Sequence, residues 1–221
     1  MNSVIEYLEK TALVSLEKQD ALIRRLGEHI MELDLDTGMA RFNTEAVFPF
    51  QVLGTESYNS ITWLWAWAEE QPEVSEELLR SAREMKALGA REGVTEFTLP
   101  SLDLNRADGT MLSLIASQVC AASGFYRDAY DGGTLFILLY GADTNSPPSF
   151  DRTRLVRALI DLVSRYDFNH RNALLSYLKM KALPFSESGD TVNGELAGGE
   201  RIIVLFDQAG QIITINSKPL S

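Results

Sequence analysis

The chain has 221 residues, 45% hydrophobic and 23% charged, the make-up of an ordinary water-soluble globular protein with enough length for one large domain or two small ones. Its 31 acidic residues against 20 basic ones leave a formal charge of −11, which opposes binding to nucleic acid and to anionic membrane surfaces, both held mainly through Lys and Arg. The single Cys120 excludes an intrachain disulfide and a cysteine-based zinc site. The amino terminus has no basic segment followed by an apolar stretch, and no apolar run nears the roughly 20 residues that span a bilayer, so the expectation is a cytoplasmic protein.

Along the chain, Ile5, Leu8, Ala12, Leu16, Gln19, Ile23, Leu26 and Ile30 recur near a period of 3.6, which predicts a first helix weakened at its end by Gly27. Leu33 and Leu35 alternate with Asp34 and Asp36, and Asp36-Thr37-Gly38 is a turn signal, so residues 31–42 read as a hairpin. Two further strands are expected at about Ala46–Leu53 and Thr62–Ala68, joined by the polar, turn-prone linker Gly54–Ser60. Four strands with short connections imply an antiparallel meander.

Pro72 is expected to open a helix with the stripe Val74, Leu78, Ala82, Met85 and Leu88, stopped by Gly89. Glu96–Leu99 reads as a short strand, and Arg106–Ala122 as a helix with Leu112, Ile115, Val119 and Ala122 on one side. Thr134–Gly141 is a continuous apolar run of strand length, the pattern of a central strand covered on both faces. Asp143–Ser149, with two prolines, is the clearest break. Beyond it, Ser149 or Asp151 can cap a helix bearing Leu155, Leu159, Leu162 and Val163, and a second helix from about Asn169 carries Ala173, Leu174, Tyr177 and Leu178. Ser186–Glu200, rich in Gly and acids, reads as a loop; Arg201–Phe206 and Gln211–Ile215 around Asp207–Gly210 read as a hairpin.

The fold class that follows is α+β: an antiparallel meander sheet packed with helices, plus a C-terminal helix–hairpin extension. Residues 1–146 form the main domain, and 149–221 add helices and a hairpin expected to share its core, since some 70 residues make only a marginal independent domain.

All three tryptophans stand in five residues, Trp63, Trp65 and Trp67, on one side of the expected strand, with Ile61 extending the row. Such a row is either core or the lining of a site. The core reading is favoured by area; the site reading gains from three indole N–H donors, which a covering helix with its carbonyls already bonded cannot easily satisfy. Tyr58 and Asn59 in the preceding loop are then candidate rim residues. The loop Tyr126–Gly133 offers Tyr126, Asp128 and Asp131; two acids in a Gly-Gly turn are more often turn formers than an acid–base couple or a cation site. His29, His170 beside Asp167, and Cys120 supply residue types for nucleophilic chemistry, but Cys120 falls among small apolar residues of a helix with no glycine elbow. Asp34-Leu-Asp36-Thr-Gly38 lacks the later ligands of a calcium loop. Glycine-rich phosphate loops, metalloprotease histidine pairs and Gly-x-Ser-x-Gly are absent from the sequence, so no cofactor, no metal and no catalytic residue is expected.

Leu53-Gly54 followed by Thr62-Trp-Leu-Trp-Ala-Trp-Ala68, and Gly124-Phe-Tyr126 ahead of the strand at Thr134, resemble a bacterial family of uncharacterised proteins, a domain of unknown function, that shares a Leu-Gly and a Thr-Trp-x-Trp-Ala-Trp-Ala pattern. The similarity covers about residues 3–145, with a departure at Glu69, where relatives tend to have Asn. The resemblance implies a fold and a bacterial origin but no activity. The expected function is a non-catalytic binding or accessory protein, of inhibitory or immunity-like character, that masks a basic protein partner. The alternative is a small-molecule-binding or hydrolytic domain whose tryptophans line a pocket.

Overall fold

The computed structural model describes residues 3–43, 45–68, 74–141 and 149–216. Glu69, the expected helix opening at Pro72 and most of the Asp143–Ser149 break lie outside them. The described residues form an α+β fold whose strands make two antiparallel sheets, of seven and four strands. By contacts the chain divides into two compact units, Met1–Val4 with Lys18–Ser146, and Ile5–Glu17 with Pro147–Ser221. Helix α1 (Val4–Leu26) contributes residues to both and ends where Gly27 takes a φ of 60°.

In the first unit, β1 (Met31–Asp34), β2 (Met39–Phe42), β3 (Val47–Ser57), β4 (Thr62–Trp65) and β5 (Ser101–Asp103) follow one another as an antiparallel meander. The β1–β2 turn closes on itself, with Thr37 N donating to Asp34 Oδ1 at 3.0 Å and Gly38 at a φ of 67°. Strand β7 (Gly133–Leu139) pairs with β3 on one side and with β6 (Gly124–Tyr130) on the other, which makes it an interior strand as its apolar run predicts. Helix α2 (Arg80–Glu92) packs against β3, and α3 (Gly109–Val119) packs against β3, β6 and β7. From α1, Gln19 clamps β6 by exchanging two bonds with the Phe125 backbone, at 2.9 and 3.0 Å, and Leu22 sits over Gly124.

Several boundaries differ from expectation. The linker after Gly54 is strand as far as Ser57, because β7 pairs with it across four positions, and tertiary pairing overrides its polar, turn-like composition. The tryptophan strand stops at Trp65, and Ile61 is not part of its row: it is 55% exposed, in the turn, with a φ of 54°. Glu96 belongs to a 3-10 turn at Thr95–Phe97, and the strand falls later, at β5. Gly89 lies inside α2, where Phe97 Cβ leaves no room for a larger residue; the helix ends at Gly93 with a φ of 74°. Tyr126–Tyr130 is strand β6 rather than loop, an exposed edge whose polarity hides its pairing.

Trp63 is the centre of this unit's packing. It is fully buried, edge-on to Trp65 and to Phe136, both with ring centroids 5.4 Å away. A Cβ on Gly54 would stand 2.4 Å from Trp63 Cζ2, and a Cβ on Gly109 would stand 2.7 Å from Cζ3. Two glycines, one on β3 and one at the first residue of α3, therefore make the slot for the indole. Gly54 also follows a bulge in the β3–β7 register, which shifts between Val52 and Gly54.

In the second unit, α4 (Arg152–Arg165) and α5 (His170–Met180) accompany β8 (Phe185–Ser188), β9 (Thr191–Glu195), β10 (Arg201–Phe206) and β11 (Ile212–Asn216), which pair in the order β11-β10-β9-β8. Asp151 caps α4 by accepting from Arg154 N at 2.8 Å, and Asn169 caps α5 by accepting from Asn172 N at 2.9 Å. The β8–β9 hairpin occupies much of the segment expected to be loop; Val192 and Gly194 alone face the core, too short a signal to read. Glu17, 1% exposed, accepts from Tyr177 Oη at 2.6 Å, Lys181 Nζ at 2.5 Å and Phe150 N at 2.9 Å, so its buried charge is matched by three donors.

Gly54→Ala is expected to lower the unfolding free energy by about 1–3 kcal/mol through overpacking against Trp63. Chemical denaturation of the variant followed by tryptophan fluorescence checks it, and an unchanged midpoint would show that the slot relaxes.

Candidate functional site

The residues singled out from sequence fall in three different places. Trp63 and Trp65 are fully buried, and what faces them is protein: Gly54, Gly109 and Phe136 around the first, and Phe97 at a centroid distance of 6.3 Å from the second. Trp65 Nε1 finds its acceptor in the Glu96 carbonyl at 3.0 Å, supplied by the 3-10 turn and not by a helix. Trp63 Nε1 is buried with no hydrogen-bond partner among the described residues. Trp67 lies past the strand, half-buried, with the Lys86 ammonium 3.9 Å from its ring centroid.

Tyr58 and Asn59 sit in the β3–β4 turn, which meets the β6–β7 turn: Tyr58 N donates to the Gly132 carbonyl at 2.9 Å, and the Tyr58 and Thr134 hydroxyls share a hydrogen bond. The meeting of these turns presents Tyr58, 56% exposed, and Tyr130, 51% exposed, beside Asn59 and Asp131. Tyr126 is elsewhere, against His29 and Phe42 with centroids 5.4 and 5.7 Å away; burial and the charge of Asp128 push its phenol up. Asp128 is exposed on β6.

At the mouth of α3 stands a residue the sequence reading passed over. Glu56, half-buried at the end of β3, accepts from Gly109 N at 2.7 Å, and Asp108 caps the same helix by accepting from Met111 N at 2.6 Å. Two carboxylates thus satisfy two of the helix's free N–H groups, where the helix dipole favours anions. Burial nevertheless raises the Glu56 carboxyl above the ordinary glutamate value; the Gly109 N–H opposes this and nearby Asp108 adds to it. Its position within a polar stretch marked it as linker rather than as a helix-capping acid.

Cys120 is not mid-helix but the C-cap of α3, and burial pushes its thiol up to about 12, so it is no thiolate nucleophile at neutral pH. Its Sγ lies 3.8 Å from the Ser81 carbonyl, beside a chain of the buried Gln51 and Ser81 and the half-buried Tyr140 that sequence reasoning missed. The signal for it was a lone Gln in the apolar strand before Gly54. The histidines are remote from this thiol in role: His29 packs on Phe42 and Tyr126, and His170 Nδ1 accepts from Ile212 N at 3.0 Å. Among the described residues no group of His, Cys, Asp and Glu is arranged to hold a metal ion, and no helix is long and apolar enough to cross a membrane.

Charge is divided unevenly. The first unit's share of the chain carries 20 acidic against 10 basic residues, a net of −10, and the second carries 11 against 10, a net of −1. An α+β scaffold with a sealed aromatic core, an acidic first unit and exposed tyrosines at one pair of turns is the class of protein in hand. The chain belongs to a family of unknown function, DUF6882, matched over residues 5–142. No curated protein and no solved structure matches it.

Because the native state holds the Glu56 proton more tightly than the unfolded chain does, stability is expected to fall as pH rises through the raised folded-state value. Glu56→Gln, which keeps an acceptor for Gly109 N, should match the wild type at pH 4 and gain relative to it by pH 7. Urea melts at both pH values check this; a difference that shrinks with pH would mean the helix dipole outweighs burial.

Proposed function

We propose that this chain is a non-catalytic accessory protein of the bacterial cytoplasm that binds and masks a basic protein partner, in the manner of an inhibitory or immunity-type protein. The observation that carries this reading is the concentration of nearly the whole charge excess, −10 of −11, in the first unit. Charge complementarity of that size speeds encounter with a cationic partner and disfavours wrong ones. The exposed Tyr58 and Tyr130, flanked by Asn59 and Asp131, supply large aromatic contacts of the kind that anchor interfaces. A thiol held protonated and the Trp63 and Trp65 indoles sealed in the core also favour binding over chemistry at those residues.

Affinity capture at low ionic strength from the native host should retain a basic protein that is released at high salt. With that partner purified, Asp128→Lys combined with Asp131→Lys is expected to slow association about tenfold while leaving the circular dichroism spectrum unchanged. Recovery of free monomer alone, or an association rate indifferent to both salt and charge reversal, overturns the reading.

A further inference from the structure

Near the β1–β2 turn a cleft of about 380 Å³ is lined by first-unit residues, among them Met39, Phe50 and Leu78 as apolar walls and Gln51 and Tyr140 as polar ones. Gln51 is 4% exposed, and its amide orientation is decided by its partners. Gln51 Oε1 accepts from Ser81 N at 2.8 Å, and a backbone N–H can only donate, so this atom is the carbonyl oxygen. The Ser81 hydroxyl also donates to Oε1, which uses its one proton. In the 2.5 Å bond between Ser81 Oγ and Tyr140 Oη, the tyrosine is therefore the donor.

The result is a directed chain, Tyr140 O–H to Ser81 O–H to Gln51 C=O, with unspent capacity at both ends. Gln51 Nε2 has two N–H donors and Tyr140 Oη has its lone pairs, with no partner for either among the described residues. The cleft is lined by both residues, and both are bonded to Ser81 Oγ, so together they can supply it with one donor and one acceptor, the complement of a ligand that offers the reverse.

We propose that this cleft binds a small molecule through the edge of a cis amide, a primary carboxamide or a lactam, whose C=O accepts from Gln51 Nε2 and whose N–H donates to Tyr140 Oη while its hydrocarbon part lies on Met39, Phe50 and Leu78. A trans peptide group cannot do this, because its N–H and C=O point in opposite directions. A carboxylate has no N–H to give to Tyr140 and meets Asp36 and Glu77 at the cleft, offset only by Arg80. The half-buried Tyr140 phenol, pushed up to about 12, keeps its proton at neutral pH and so keeps the chain's direction fixed.

The test is a titration of the full chain, followed by the Gln51 side-chain amide signals in 15N-edited NMR, with benzamide and 2-pyridone as probes. Benzoate, methyl benzoate and N-acetylalanine methylamide serve as controls. Either cis amide should shift those signals saturably at millimolar concentration, and which one binds tighter tells carboxamide from lactam. The controls should bind at least tenfold more weakly, and Tyr140→Phe should weaken the amide by about tenfold. If that variant misfolds, methyl benzoate, which lacks the N–H, asks the same question of the unaltered protein. No saturable shift with either amide, or benzoate and methyl benzoate binding as well as benzamide, overturns the proposal.

Discussion

The first unit depends on one indole held between two glycines. Trp63 can be wholly buried only because Gly54 and Gly109 remove the side chains that would occupy its volume, and each brings a separate element into contact with it. Gly54 fixes how closely β3 and β4 carry the ring, and Gly109 fixes where the first turn of α3 lands. Interiors this densely packed leave little room for adjustment, so the strand register, the helix start and the Phe136 contact are settled together. The Glu56 carboxylate is part of the same arrangement, since the residue whose N–H it accepts is Gly109.

That arrangement accounts for what could be read from the sequence. The stripes of α4 and α5, the apolar run of β7 and the β10–β11 hairpin are stated by residues whose own burial decides their structure. The stripe expected for α1 holds only in part: Leu8, Ala12 and Leu26 are buried, but Ile23 is exposed and Ile30 is exposed beyond the helix end. β6 and β8 were hidden because their side chains are mostly exposed, and only their partners make them strands. Gly89 misled for the opposite reason: glycine stops helices by its freedom at positive φ, but here it is small for the sake of Phe97.

The candidate sites were less legible still. Alternation placed Trp63 and Trp65 on one face correctly, but whether that face meets protein or a cleft is decided by Gly109, 46 residues later, and by the turn that offers the Glu96 carbonyl to Trp65. The Gln51–Ser81–Tyr140 chain joins residues from three distant segments; a lone Gln in an apolar strand marks one of them, and nothing local names its partners. Composition did better: the acidic excess is a property of the whole chain, and the structure only assigns it to one unit.

The second unit is discontinuous in sequence, and this has a consequence for the order in which the molecule can be made. Its first piece, Ile5–Glu17, is synthesised before the partners it packs with, for Glu17 meets Tyr177 across a separation of 160 residues and Lys181 across 164. Contacts so far apart along the chain close slowly, because the loop between them must be ordered first. The first unit, whose Lys18–Ser146 share is synthesised without interruption, can assemble in the meantime. An acid destined for full burial therefore has to wait for a lysine made 164 residues later before its ion pair can close.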